Sequence, residues 1–172
     1  MTTHRLRPGS PPASDPSMAA PPRAAADYRV LPASWRDVLA LYRLERLVFP
    51  RDTYSPLELF LLLLWPGLVN LKAVAPDGAA VGFISGGRLP GGRKTWIVTL
   101  GVHPAHQRRG LGRLLLETCE SRLDARTLYL TVRQSNAPAL ALYRHTGYRQ
   151  VQLKPGYYPG GETGIEMRKD RW

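Results

Sequence analysis

Apolar positions change their period several times along the chain, and each change marks an element. The first 26 residues, dominated by Pro, Ala, Ser and Thr, have no apolar period and read as a disordered tail. Tyr28 to Pro32 predicts a short strand. Val38, Leu41, Tyr42, Leu44 and Val48 then recur at helical spacing and give a helix with one apolar face. Ser34 is its predicted cap, with Asp37 at the capping-box position, and Phe49-Pro50 ends it. Ser55-Pro56-Leu57-Glu58 starts a second helix, a capping box with proline at the first helical position, which runs to about Trp65. The apolar run Leu57 to Trp65 contains Glu58, stops at Pro66, and falls far short of the ~20 residues a membrane span requires.

Strands are predicted over Leu68 to Ala75 and Ala79 to Gly86, joined by the turn Pro76-Asp77-Gly78. A Gly-rich turn near Pro90-Gly91-Gly92 leads to a central strand, Thr95 to Val102. A helix over Leu111 to Leu123 and a strand over Thr127 to Arg133 follow. Asn136 or Ser135 caps a short helix through Tyr143 and His145, and Gly147 terminates it. Tyr148 to Leu153 and Gly164 to Lys169 close the chain as strands around a Tyr157-Tyr158 loop. The order β-α-α-β-β-β-α-β-α-β-β predicts a mixed α/β (α+β) domain over 27–172.

Composition narrows this picture only slightly. At 172 residues and 44% apolar, the chain can bury one ordinary core. The single Cys119 excludes an internal disulfide and a multi-cysteine metal site, and its helical position makes it a buried small hydrophobe. His4, His103, His106 and His145 show no ligand spacing, so no metal is expected. Arg5 and Arg7 are not followed by an apolar run, so a secretory signal is not expected, and Met18 is an alternative start. The net charge of +11 favours polyanionic company, without choosing between a phosphorylated cofactor, a ribosome and nucleic acid. No aromatic-basic nucleic-acid motif accompanies it.

The chemistry concentrates in Val102-His-Pro-Ala-His-Gln-Arg-Arg-Gly-Leu-Gly-Arg113, between the central strand and the next helix. Gly110 and Gly112 stand where the strand-to-helix turn must fall, so backbone N–H groups can close around an anion at the positive end of a helix. Arg108, Arg109 and Arg113 add cations suited to phosphate. The segment reads as a pyrophosphate holder.

Gln107-Arg-Arg-Gly-Leu-Gly112 resembles the acetyl-CoA signature of the GNAT superfamily of N-acetyltransferases. Ser135-Asn136, Ala141-Leu-Tyr143-Arg-His-Thr-Gly-Tyr148, and Tyr157-Tyr158-Pro-Gly-Gly-Glu162 with Ile165-Glu-Met167 extend the likeness. The last group resembles the branch that acetylates protein N-termini, including the ribosomal-protein alanine N-acetyltransferases. The resemblance implies a mixed, mostly antiparallel sheet of about seven strands with about four helices. It implies a cytoplasmic enzyme with acetyl-CoA as co-substrate and a protein or peptide N-terminus as acceptor, including that of a ribosomal protein. A small-molecule amine, or a non-catalytic acetyl-CoA-binding role at the ribosome or RNA, stays open as an alternative. Small cationic amines would want acidic groups, of which the predicted loops offer only Asp52 and Glu162.

By the same resemblance, Leu100, Gly101 and Val102 contact the acetyl and pantetheine arm. Gly101 is expected to form a bulge whose free N–H polarises the thioester carbonyl. Arg108, Arg109, Gly110, Leu111, Gly112 and Arg113 hold the pyrophosphate, and Asn136 bonds the pantetheine arm. Tyr143 is the general acid for the departing thiolate. Phe49, Pro50, Tyr54, Tyr157 and Tyr158 are the implied acceptor-binding residues. The general base departs from the family, because Thr131 and Trp96 occupy its usual positions and neither can take a proton near neutral pH. A water relay, Tyr157, Tyr158 or Glu162 is left as a substitute, or an α-amine arriving neutral, since its pKa is about 8. No single dominant protein base is expected.

Overall fold

The computed structural model describes residues 25–50, 53–89 and 91–171. Met18, His4, nearly all of the expected tail, Asp52 and Pro90 lie outside them. The elements are β1 (Arg29–Pro32), α1 (Val38–Val48), α2 (Pro56–Leu64), β2 (Leu68–Val74), β3 (Ala80–Arg88), β4 (Thr95–Val102), α3 (Leu111–Arg122), β5 (Thr127–Arg133), α4 (Ala137–His145), β6 (Arg149–Lys154) and β7 (Gly164–Asp170). Seven strands form one sheet in the order β1-β2-β3-β4-β5-β7-β6. All neighbours are antiparallel except β4 and β5. That exception follows from connectivity: α3 joins β4 to β5 as a crossover, the link a parallel pair needs.

α3 buries Leu111, Leu115, Leu116 and Cys119 against one face of the sheet, in the main core with Ile84, Leu128 and Leu130. Burial pushes the Cys119 thiol up to about 12, which suits a packed apolar role rather than a reactive one. α1 covers the opposite face, where Leu41 and Leu44 pack with Phe83. The Ser55–Glu58 capping box forms as expected: the Ser55 N–H donates to Glu58 Oε2 (2.7 Å), and the Glu58 N–H to Ser55 Oγ (3.2 Å).

At Ser34 the outcome differs. Its N–H does donate to Asp37 Oδ2 at 2.9 Å, but the capped turn is a 3₁₀ turn over Trp35–Asp37, and α1 starts at Val38. Asp37 also pairs with Lys72 on β2, which anchors that turn to the sheet. Of the two candidate caps of α4, Asn136 takes the position, its Oδ1 accepting the Ala139 N–H (3.2 Å). Ser135 bonds Glu162 instead.

Candidate active site

β4 and β5 are in register only at Thr95 with Leu128 and Trp96 with Tyr129. Beyond Trp96 they part, while β4 stays paired with β3 to Val102. The opening is a cavity of ≈ 770 Å³ walled by Leu100 and Val102 of β4, Arg108 and Gly110 to Arg113 of the turn into α3, the α4 cap Asn136, and Tyr143 of α4.

The turn into α3 is built from two left-handed residues, Arg108 (φ 60°) and Gly110 (φ 81°). Such alternation points successive N–H groups to one side as an anion nest. Gly110 is the helix N-cap and brings no side chain to cap the first turn, so those N–H groups are available to an anion. Left-handed φ is strained for Arg108 but not for Gly110. Gln107 braces the turn, its Nε2 donating to the Val102 carbonyl at 3.0 Å. Arg108 and Arg113 line the cavity, and Arg113 is held by Glu117 at 2.7 Å. Arg109 is not in the wall; it donates to the Tyr28 hydroxyl at 3.2 Å.

The bulge expected at Gly101 lies elsewhere. Gly101 is in register with Phe83, whereas Ser85 pairs with Thr99 and Gly86 with Ile97, which leaves Val98 as the extra residue. The His103 N–H donates to the Val81 carbonyl at 2.8 Å. Antiparallel alternation therefore turns the Gly101 N–H toward β3, and those of Leu100 and Val102 toward the open wedge. Glycine at 101 serves packing instead: a Cβ there would meet Phe83 Cε1 at 2.8 Å and Phe49 Cε2 at 3.3 Å. Gly101 accordingly lines neither cavity, while Leu100 lines both.

A second cavity of ≈ 170 Å³ adjoins the first, and Tyr143, Phe49, Leu100, Asn136, Ala139 and Arg133 belong to both walls. Pro50 lines only the larger one, and Tyr54 and Tyr158 only the smaller. Tyr143 is 8% exposed, and burial pushes its phenol well above the usual range. It is therefore a phenol, able to give a proton, at any physiological pH. Tyr158 donates to the Thr131 carbonyl at 3.1 Å. Tyr157 stacks edge-on against Tyr158 with centroids 5.0 Å apart, is 53% exposed, and lines neither cavity.

Glu162 is a poor proton acceptor here. Hydrogen bonds from Ser135, with the Arg133 guanidinium beside them, hold its carboxyl down at about 2. Its task is to fasten the β5–α4 connection.

One acidic residue that the sequence reading passed over enters the smaller cavity. Glu45 is 1% exposed, and neither carboxylate oxygen has a hydrogen-bond partner. Burial lifts its carboxyl to about 7; the Tyr54 backbone N–H, near the carboxylate but not in hydrogen-bonding geometry with it, partly opposes this, and the charge of Glu58 adds to it. Its signal was in the helical period: Glu45 falls in the stripe of Leu41, Leu44 and Val48, a charge on an apolar face. Gln107 stands in the sequence only as the first residue of the family motif, with no role of its own, and Arg133 only as the end of a strand.

A splayed parallel pair, a left-handed nest at a helix N-terminus and a buried phenol where two cavities meet define a transferase. Such a site has room for a long, pyrophosphate-bearing co-substrate on one side and an acceptor on the other. Residues 35–148 match the acetyltransferase (GNAT) family, and the chain belongs to it. It is 38% identical over 117 residues to the N-alpha-acetyltransferase RimI of Mycobacterium tuberculosis, covering 61% of this chain and 74% of that one. It is 40% identical over 105 residues to the ribosomal protein bS18-alanine N-acetyltransferase of Salmonella typhimurium, covering 58% and 69%. The crystal structure of the ribosomal-protein-S18-alanine N-acetyltransferase from Escherichia coli superposes with a TM-score of 0.73 at 27% identity, over 83% of this chain and 93% of that one.

Proposed function

We propose that this acetyl-CoA-dependent N-acetyltransferase modifies the α-amine of a protein or peptide N-terminus, including that of a ribosomal protein, in the cytoplasm. The relatives named for that reaction support the acceptor class. Among the described residues no helix is long and apolar enough to cross a membrane, and nucleic acid is not required by any feature of the site.

The observation that carries the reading is Tyr143 standing in the wall common to the two cavities. The residues present fit acetyl-CoA. Nest N–H groups with Arg108 and Arg113 hold its diphosphate, and the Leu100 and Val102 edge of β4 takes the pantetheine arm in strand-like pairing. Asn136 spends its Oδ1 on the cap and offers its Nδ2 as donor. Bound there, acetyl-CoA supplies an activated acyl group, and the protein supplies position and protons. The Leu100 or Val102 N–H stabilises negative charge developing on the acetyl oxygen. Tyr143 gives its proton to the departing sulfur, and Tyr54 and Tyr158 wall the acceptor space.

Thiol release and mass spectrometry on a peptide library with free α-amines, against blocked peptides carrying a lysine, test the proposal. Acetylation of free α-amines is expected. Modification confined to lysine side chains or small amines would refute the acceptor assignment.

A further inference from the structure

Three buried side-chain polar atoms among the described residues lack a hydrogen-bond partner: Glu45 Oε1, Glu45 Oε2 and Thr131 Oγ1. Both residues line the same small cavity. Buried polar groups are otherwise almost always satisfied, and an unpaired carboxylate is the costliest exception. Three such atoms at one cavity point to a ligand rich in N–H donors.

The two residues come from opposite walls. Glu45 projects from the inward stripe of α1. Thr131 alternates on β5 with Leu130 and Val132, which belong to the core beneath α3, so it faces the side of the sheet that α1 covers. Tyr143, the proposed proton donor, lines the same cavity.

We infer that Glu45 and Thr131 form the subsite for the acceptor's α-ammonium group, and that Glu45 is the base that takes its proton. This rests on the acetyl-transfer reading above and supplies the base that Thr131 cannot be. An ammonium offers three N–H donors, matching two carboxylate oxygens and a hydroxyl. Ionised Glu45 takes one proton from the ammonium. The neutral nitrogen forms the N–C bond as the C–S bond breaks, and Tyr143 protonates the sulfur. The nitrogen's second proton restores Tyr143, and Glu45 releases its own to water.

The other ionisable groups facing Glu45 are Glu58 of α2, Tyr54, Tyr143, Tyr158 and Arg133. Arg133 is the one cation among them, and it is paired to Glu162 and lies over the Tyr158 ring at 4.2 Å. A carboxyl lifted to about 7 in this setting is a base matched to neutral pH.

The test is kcat/KM against pH for wild type, Glu45→Gln, Thr131→Val and the double variant Glu45→Gln/Thr131→Glu on a free α-amine peptide, with acetyl-CoA affinity measured by calorimetry. Glu45→Gln should lower kcat/KM by about 10²-fold or more, leave acetyl-CoA affinity unchanged, and abolish an inflection near pH 7. Thr131→Val should mainly raise the peptide KM. The double variant, with a carboxylate on the opposite wall, should recover part of the lost rate, and Glu45→Asp, which keeps a carboxylate on α1, should retain more activity than Glu45→Gln at matched thermal stability. Wild-type rates and profile in Glu45→Gln, or no recovery in the double variant, would overturn the assignment. A wild-type protein that binds acetyl-CoA but acetylates no α-amine would refute the parent reading and this one with it.

Discussion

Replacing Glu45 by glutamine is expected to remove a pH-dependent weakness from the fold. The folded carboxyl is held at about 7 against an ordinary 4.5, chiefly by burial. Between those values the folded chain binds more protons than the unfolded chain. Stability is therefore fullest below 4.5 and is lost as pH rises through about 7. At about 1.36 kcal/mol per tenfold change, that interval is worth about 3 kcal/mol. Glutamine cannot ionise, and its own unmet hydrogen bonds cost the same at every pH. The stability difference between variant and wild type should therefore grow by about 3 kcal/mol from about pH 4 to about pH 8. For a domain of this size that is roughly 6–12 °C in Tm. Paired urea titrations without ligand, extrapolated linearly at each pH, measure it directly. Two stability curves separated by a constant offset would refute a neutral, desolvated Glu45.

Other consequences are equally open to measurement. Tyr143→Phe should keep acetyl-CoA affinity and lower kcat by roughly 10²–10⁴-fold; an unchanged kcat would reduce Tyr143 to packing. Arg108→Glu should weaken acetyl-CoA binding strongly, whereas Arg109→Ala should act less and through the lost Tyr28 contact, and calorimetry distinguishes the two. Gly110→Ala forces a side chain into the left-handed region and should cost about 1–2 kcal/mol of stability, as well as cofactor affinity, in thermal melts with and without acetyl-CoA. Glu162, held at about 2, favours the native state above 4.5 and loses that contribution as pH falls toward 2. Glu162→Gln should therefore flatten the acid limb of the stability curve, and an unaltered limb would show that its bonds to Ser135 and Arg133 do not persist in solution.

Much of this protein was legible before its fold, wherever the physics is local. Caps act within one turn, so Ser55 with Glu58 could be read from spacing, whereas the choice of Asn136 over Ser135 waited on the Ser135 bond to Glu162, 27 positions away. Hydrophobic period set the strand and helix types, and the Gly110 turn follows from the backbone conformation that glycine alone adopts without strain. The turn into α3 was legible for the same reason, since its left-handed glycine, helix start and arginines lie within one short segment.

What depended on pairing between distant segments was decided only in three dimensions. The bulge at Val98 is a property of the β3–β4 register, not of the glycine at 101. Whether Arg109 reaches the cavity was decided by Tyr28, 81 positions away in sequence. The acceptor side was the least legible part. Glu45 and Thr131 belong to a helix and a strand far apart in the chain, and neither residue is unusual alone. They meet in a shared cavity, and the burial that lifts the Glu45 carboxyl exists only once α1 has closed over the sheet.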